Sequence, residues 1–323
     1  NPPLINNTIP FKPDAVWQTR QIGVQQCCWM HTWHPTDPDR LLVIDGADNQ
    51  RAAVYQWSAS QGTMQFLTQD APPTHQSPDG TYTITLNGNQ ANIHHVADSK
   101  EYHVDTGGAM PSLSTDNSRL LWINSPLAIP GGNRPQATIY VSDIDGSNPY
   151  QVIAAPGASA QWLDASRLLV RLPGDGQQSA LHVYDTTTGE NYGLVSATYL
   201  RGVDVAPGGG RIMYYLTFQD DPAASGIYTI ETKPDAQPQK IAWFGGWRWR
   251  DANSVYYIPL DASAPYQTLH YYDVITGEDV TLTTPETVPF VIMNGDWGVS
   301  ADGQRIVFQN GIDAEMTLLE TIE

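Results

Sequence analysis

The feature that most constrains the fold is a motif that recurs seven times along the chain. Each copy starts with a turn carrying Asp, Gly, Asn or Pro and continues into a run of β-forming residues. Turns of this composition supply the positive φ angles and fixed bends that β-hairpins need. Successive copies lie about 40 to 50 residues apart, the length of one four-stranded propeller blade. The copies begin at His34, Ser77, Ser114, Leu163, Ala206, Arg250 and Ser300.

This repeat predicts an all-β chain folded as a single closed β-propeller of seven four-stranded blades. A six-bladed ring with one misassigned repeat is the alternative. Because the last repeat has only three strands, we expect residues 15–23 to supply the fourth, so that an N-terminal strand closes the last blade and the ring has no free edge. The prediction divides the chain into an N-terminal tether, residues 1–14, and a propeller, residues 15–323.

Two of the turns carry a family resemblance. Ser77-Pro-Asp-Gly and Ser300-Ala-Asp-Gly resemble the SPDG turn of TolB-type, WD40-like propeller repeats, and the resemblance extends over residues 15–323. It implies the fold but little about activity, since such propellers include binding scaffolds, peptidase gating domains and a few lyases. The related lyases use a histidine-based metal site. His31 and His75 are the candidates for it here, and two ligands are too few to transfer that activity.

The charge balance restricts the partners. With 34 acidic against 16 basic side chains the net charge is -18, and no basic run offsets it. Phosphate-backbone binding needs clustered positive charge, so we expect no nucleic-acid partner. No apolar stretch reaches the roughly 18 residues of a membrane span, so we expect no transmembrane segment. The polar, proline-containing opening resembles a tether left after removal of a signal or anchor, which favours an extracellular or cell-envelope monomer.

Motifs for cofactor chemistry are missing. Cys27 and Cys28 are adjacent, and both a vicinal disulfide and two reduced thiols remain open. The histidines form no HExxH or HxH pair, and Asp143-Ile-Asp-Gly lacks the downstream glutamate of a calcium loop, so we interpret it as a hairpin turn. We therefore expect no cofactor, although a structural divalent cation such as calcium is compatible with the acidity.

Candidate binding residues lie in loops that propellers place on one face, namely those entering each inner strand and those joining the second and third strands. The loop at residues 125–136 and the loop at residues 219–225 are longer than a hairpin requires, which is typical of functional loops or of tolerated insertions. Aromatic rings there can stack on planar ligands or sugars, and arginines can bind carboxylates. Their structural alternatives are burial between blades and ion pairing. The candidates are Trp29, Arg51, Arg134, Arg201, Trp247, Arg248, Asp296 and Trp297. Three other tryptophans, Trp33, Trp162 and Trp249, precede turns and are expected to pack between blades.

Without an enzyme motif, the leading interpretation is an exported or cell-envelope binding module with no catalytic residues. It would hold a glycan, a peptide or a protein on one propeller face. One alternative is a propeller lyase or glycoside-cleaving enzyme with a site at the channel mouth, whose residues converge only in three dimensions. Another alternative is a scaffold subunit of a larger assembly.

Overall fold

The structure is a computed structural model that describes residues 9–22, 30–45, 53–69, 75–127, 134–313 and 315–322. Across these residues the chain is built from β-strands, and a single 3₁₀ turn at Pro222–Ala224 is the one helical segment there. No helix within the described ranges is long and apolar enough to cross a membrane. The predicted cell-envelope or extracellular location stays a prediction.

The strands follow one another along the chain in seven groups. The N-terminal strand and blade 1 are β1 (Val16–Gln21), β2 (Met30–Trp33), β3 (Arg40–Asp45), β4 (Ala53–Ser58) and β5 (Thr63–Gln69). Blades 2 and 3 are β6 (His75–Gln76), β7 (Tyr82–Asn87), β8 (Gln90–His95), β9 (Glu101–Asp105), β10 (Ser112–Leu113), β11 (Arg119–Asn124), β12 (Gln136–Asp143) and β13 (Tyr150–Pro156). Blades 4 and 5 are β14 (Ser159–Trp162), β15 (Arg167–Pro173), β16 (Gln178–Asp185), β17 (Asn191–Thr198), β18 (Leu200–Val205), β19 (Arg211–Leu216), β20 (Gly226–Glu231) and β21 (Gln239–Lys240). Blades 6 and 7 are β22 (Gly245–Trp249), β23 (Ser254–Pro259), β24 (His270–Asp273), β25 (Asp279–Thr281), β26 (Ile292–Val299), β27 (Arg305–Asn310) and β28 (Met316–Ile322).

Each group is a four-stranded antiparallel sheet, and the seven sheets are blades of a β-propeller. Blades 1 to 6 use consecutive strands, whereas blade 7 has the order β1-β28-β27-β26. Val16 pairs with Ile322 and Gln21 with Thr317, so β1 covers the edge of β28 along its whole length. The prediction of seven four-stranded blades with an N-terminal strand completing the last one is confirmed, and the six-bladed alternative is wrong.

The repeated turn is held by its own side chains. In the copy at Ser114, the serine hydroxyl donates to the Asp116 carboxylate at 2.7 Å and accepts from the backbone N–H of Arg119 at 3.1 Å. Burial raises the pKa of Asp116, but hydrogen bonds from Ser114 and Ser118 outweigh it and hold the pKa below its ordinary value. Ser77 and Ser300 make the same contact with the aspartate two residues later. This network explains why the motif recurs.

The described residues divide into two compact units. Unit 1 lies within Thr74–Ala242 and contains blades 2 to 5; unit 2 lies within Asn6–Pro73 and Trp243–Glu323 and contains blades 1, 6 and 7. In each unit the apolar clusters join two blades. Trp162 donates from its indole N–H to the Ser112 carbonyl at 3.2 Å, and Trp33 donates to the Gly298 carbonyl at 3.1 Å.

Trp33 and Trp162 thus join neighbouring blades, as the sequence predicted, and Trp249 is also buried. Part of the predicted tether packs on unit 2. The Ile9 backbone N–H donates to the Asp302 carbonyl at 3.1 Å, and the Phe11 ring stacks on Tyr271 with centroids 3.6 Å apart. The Arg250 guanidinium donates to the Ile9 carbonyl.

Candidate functional site

A polar cleft of about 190 Å³ opens in unit 1, where four of the loops that the sequence predicted for one face come together. These are the loops entering the inner strands of blades 4 and 5 and the loops joining the second and third strands of blades 3 and 4. Three arginines dominate its wall. The lining residues are Arg134, Gly157, Arg171, Pro173, Gln177, Gln178, Ser179, Tyr199, Leu200 and Arg201.

Arg134 precedes β12 and is held by backbone oxygens of a neighbouring loop. Its guanidinium donates to the Gly174 carbonyl at 3.0 Å and to the Gly176 carbonyl at 3.3 Å. Gly157 lies next to the aliphatic part of the Arg134 side chain. A Cβ at that position would lie 3.1 Å from Arg134 Cδ, and the backbone there has a φ of +66°, which favours glycine. The glycine therefore leaves the space that the arginine fills.

Arg171 projects from β15 into the same cleft. Its guanidinium donates to the Ser179 hydroxyl at 3.0 Å and to the Leu200 carbonyl at 2.8 Å. Ser179 is buried, and Arg171 is itself half-buried. These contacts join β15 to the adjacent β16 and to the start of β18, so they fix the position of the guanidinium in the cleft wall.

Arg201 lies at the start of β18 beside two aromatic rings. Its guanidinium carbon is 5.5 Å from the Tyr199 ring centroid and 5.6 Å from that of Phe218, distances that allow cation–π attraction. Both aromatic residues have left-handed backbones, with φ of 53° at Tyr199 and 51° at Phe218. Such a backbone costs a non-glycine residue roughly 1–2 kcal/mol. The fold therefore accepts strain to hold these rings against the arginine.

The electrostatics of the cleft set it apart from the rest of the protein. Arg134 and Arg171 donate to carbonyl or hydroxyl oxygens, and no carboxylate of the described residues forms an ion pair with any of the three cleft arginines. Six other arginines of the described residues do have acidic partners, namely Arg20, Arg40, Arg167, Arg211, Arg250 and Arg305. Guanidinium groups of this kind can bind an anion, preferably a planar one that accepts two hydrogen bonds from an arginine.

Two of the predicted binding residues, Arg134 and Arg201, line this cleft together, and neither forms an ion pair, the structural alternative, with a carboxylate of the described residues. Arg171 and Tyr199 were missed by the sequence analysis. The signal for Arg171 is a charge that directly follows the apolar run Leu168-Leu-Val within the strand Arg167–Pro173. No comparable signal marks Tyr199, because the left-handed backbone that aims its ring is not visible in the residue type.

Four other predicted residues belong to unit 2 and not to the cleft. Trp247 and Trp297 are only 5% and 4% exposed, so neither ring offers a face on which a ligand can stack, and burial is the correct interpretation of both. Arg248 donates to the Trp297 carbonyl at 2.9 Å and to the Trp247 carbonyl at 2.8 Å. Asp296 is exposed. The predicted ligand roles of Arg248 and Asp296 stay predictions.

Some predicted features lie outside the described residues. They are Trp29, Arg51 and the adjacent pair Cys27 and Cys28. Within the described ranges, no group of three His, Cys, Asp or Glu side chains comes together in a way that could hold a metal ion.

No protein-family model matches the chain, and no curated protein sequence matches it. Solved structures are similar to it in fold. An oligogalacturonate lyase in complex with manganese is similar at 13% identity and a TM-score of 0.63, with 97% of this chain and 92% of that chain covered. The oligogalacturonate lyase of Vibrio parahaemolyticus gives 11% identity and a TM-score of 0.60, with 97% and 93% covered. The acylaminoacyl peptidase of Pyrococcus horikoshii gives 13% identity and a TM-score of 0.59, and the match spans 89% of this chain but 51% of that chain.

At these identities the similarity establishes the fold, a seven-bladed β-propeller, and not an activity. The assignment to TolB-type repeats stays a prediction. The expectation of a non-catalytic binding module is wrong as the leading interpretation, because the structures that match nearly the whole chain are those of enzymes. The alternative that the sequence left open was a propeller lyase or glycoside-cleaving enzyme, and two of these similar structures are lyases.

Proposed function

We propose that this protein is a lyase that acts on acidic oligosaccharides and binds a uronate carboxylate in the arginine cleft of unit 1. The observation that carries the proposal is the convergence of Arg134, Arg171 and Arg201, without carboxylate partners among the described residues, in a chain with a net charge of -18. Similarity in fold to oligogalacturonate lyases over 97% of the chain supports the same substrate class.

The chemistry follows from what arginines do to a uronate. Hydrogen bonds from guanidinium groups to the carboxylate stabilise the negative charge that spreads onto it when the neighbouring C5 proton is removed, so they act more strongly in the transition state than in the ground state. The C5–H electron pair then forms the C4–C5 double bond. The C4–O bond breaks with its electron pair on the leaving oxygen. No water, oxidant or reductant is consumed.

The proton needs a carrier, and among the described residues that line the cleft Tyr199 is the titratable one other than the arginines. We assign its oxygen, in the phenolate form, as the base that takes the C5 proton. In a galacturonate ring the C4–O bond lies on the opposite side from the C5–H bond, so the leaving C4 oxygen takes its proton from solvent, and Tyr199 later returns the C5 proton to solvent. The left-handed backbone at Tyr199 and the Arg201 contact fix the position of the ring. Proton transfer by a positioned side chain contributes typically 10²–10⁴-fold to a rate.

Manganese, present in one of the similar lyases, does not fit this cleft. The lining is cationic and supplies amide, hydroxyl and guanidinium groups, whereas a hard divalent cation prefers carboxylate and carbonyl oxygens. No group of three metal-ligating side chains was found in the described part of the chain. The proposed reaction therefore involves no step at a metal.

Calorimetric titration with trigalacturonate tests the binding part of the proposal. Losing one charge-assisted hydrogen bond costs about 1.5–3 kcal/mol, so we expect Arg171→Ala to weaken binding about 10- to 100-fold. Arg201→Ala should also weaken it and is the safer variant for folding, since Arg201 is exposed. Arg40→Ala, which removes an exposed arginine bonded to Gln56 in unit 2, is the matched control. Unchanged affinity in both cleft variants would contradict the proposal.

A further inference from the structure

An exposed aromatic ring stands beside the arginine cleft without a folding role that accounts for it. Phe218 is 72% exposed, so it contributes little to burial of apolar surface. Its ring lies edge-on to Tyr199, with centroids 5.4 Å apart and planes at 70°. Both rings contact Arg201, and Tyr199 and Arg201 line the cleft. Phe218 therefore extends the cleft wall outward.

The position of Phe218 is enforced by a specific clamp. The Gln219 side-chain amide donates to the Thr198 carbonyl at 2.8 Å and to the Thr217 carbonyl at 2.9 Å. These carbonyls belong to the residues that directly precede the two left-handed residues, Tyr199 and Phe218. One side chain thus fixes both unusual backbones at once. Strained backbone persists only where the surroundings enforce it, and it concentrates at functional sites.

The loop that follows is also ordered by its own contacts. The Gln219 backbone N–H donates to the Ser225 hydroxyl at 3.3 Å, and the Asp221 carboxylate caps the 3₁₀ turn by accepting from the Ala223 N–H at 2.9 Å. Residues 219–225 form one of the two long loops that the sequence predicted as functional or as tolerated insertions. Contacts of this kind hold the exposed ring in place before a ligand arrives, which lowers the ordering cost of binding.

The size of the cleft indicates what the exposed Phe218 ring can contact. Its volume of about 190 Å³ is below the roughly 300–1,000 Å³ of pockets that enclose drug-sized ligands, so it takes one sugar residue of an oligosaccharide. The next sugar must lie outside, at the rim that carries Phe218. A pyranose ring has an apolar C–H face, and such a face packs well on an exposed aromatic ring.

We propose that Phe218, held beside Arg201 by the Gln219 clamp, is a stacking subsite for the sugar adjacent to the uronate in the arginine cleft. The inference rests on the proposed function and deepens it. It makes the protein selective for oligomers over monomers: the arginines bind the carboxylate, and Phe218 recognises that the chain continues.

The test compares galacturonate with trigalacturonate on the same variants by calorimetric titration. We expect Phe218→Ala to weaken trigalacturonate binding about 3- to 10-fold, the range that aromatic contacts contribute, and to leave galacturonate binding unchanged. Phe218→Trp should restore the preference for the oligomer. Phe66→Ala, which removes another exposed phenylalanine, is the matched control because Phe66 lies on β5 in unit 2.

The outcomes separate the two proposals. If Phe218→Ala weakens both ligands equally, the ring acts only by supporting Arg201, and the stacking subsite is wrong. If it weakens neither while the wild-type protein binds both, the subsite is also wrong but the arginine cleft stands. A wild-type protein that binds neither ligand contradicts the proposed function itself.

Discussion

Single residues decide the shape of the cleft, and Gly157 shows how. Its φ is +66°, and a Cβ built on it would lie 3.1 Å from Arg134 Cδ. The absence of a side chain therefore avoids both backbone strain and a close contact with the arginine. A side chain at this point would push on the Arg134 stem, which is anchored at its other end by the Gly174 and Gly176 carbonyls. The guanidinium would then shift from its present position.

We therefore predict that Gly157→Ala loses about 1–2 kcal/mol of unfolding free energy to backbone strain and also weakens trigalacturonate binding. Gly189→Ala is the control. Gly189 has a similar φ of +77° in unit 1, but no heavy atom beyond its chain neighbours lies within 4 Å of a Cβ built there. It should lose comparable stability and keep its affinity. Urea unfolding and calorimetric titration measure the two quantities, and equal affinities of both variants would contradict the role of Gly157.

At the scale of elements, β1 is the strand on which blade 7 depends. Trp17 is 5% exposed and packs edge-on against Tyr256, with ring centroids 5.6 Å apart. Arg20 pairs with Glu320 of β28 at 2.9 Å, which ties the two strands by charge as well as by backbone hydrogen bonds. Without β1, the β28 edge would present a row of backbone groups that promotes aggregation.

Trp17→Ala should accordingly lower the unfolding free energy by about 3–5 kcal/mol, the usual cost of truncating a buried aromatic residue. Val16→Ala is the control because the Val16 side chain is 58% exposed, and its effect should stay within about 0.5 kcal/mol. Chemical denaturation of both variants provides the comparison. A Trp17 variant as stable as the Val16 variant would mean that β1 is dispensable.

The strands and turns were predictable because each repeat carries its own turn residues within a short stretch of sequence. The turns at Ser77, Ser114 and Ser300, three of the seven copies, carry the hydroxyl and carboxylate that close their own hairpins. The seven copies correspond to the seven blades. The missing strand of the last repeat and the extra strand at the N-terminus predicted their pairing in the same way. The spacing of the repeats, their turn chemistry, the resemblance of two turns to propeller repeats and the need to leave no free edge were enough to predict these features.

The candidate site was predictable only in part because its residues are far apart in the sequence and come together only in the folded protein. Arg134 and Arg201 were found because they lie in loops that a propeller places on one face. Arg171 was missed because it belongs to a strand, and its lack of a carboxylate partner among the described residues is visible only after β15, β16 and β18 come together. Trp247 and Trp297 were misjudged as candidate ligand platforms because loop position does not reveal burial.

At the scale of the whole molecule, an acidic chain carries a cationic cleft. A net charge of -18 opposes the approach of an anionic oligosaccharide, but the Debye length of about 8 Å at physiological ionic strength screens charges farther away. When an anionic group is in contact with the cleft, the three cleft arginines dominate its electrostatic interaction with the protein. Under the proposed function, the acidic surface repels other acidic molecules at a distance, while the three arginines bind the carboxylate locally.

The most direct test of the proposed activity is a lyase assay with trigalacturonate, in which the new C4–C5 double bond, conjugated with the carboxylate, is followed by its ultraviolet absorbance. We predict that the wild-type protein generates this absorbance and that Tyr199→Phe loses about 10²–10⁴-fold in rate with little change in trigalacturonate binding. Tyr150→Phe, which removes an exposed hydroxyl bonded to the Thr186 carbonyl, should retain the rate. A wild-type protein that binds trigalacturonate without producing the absorbance, or that releases reducing ends without it, would contradict the assignment as a lyase.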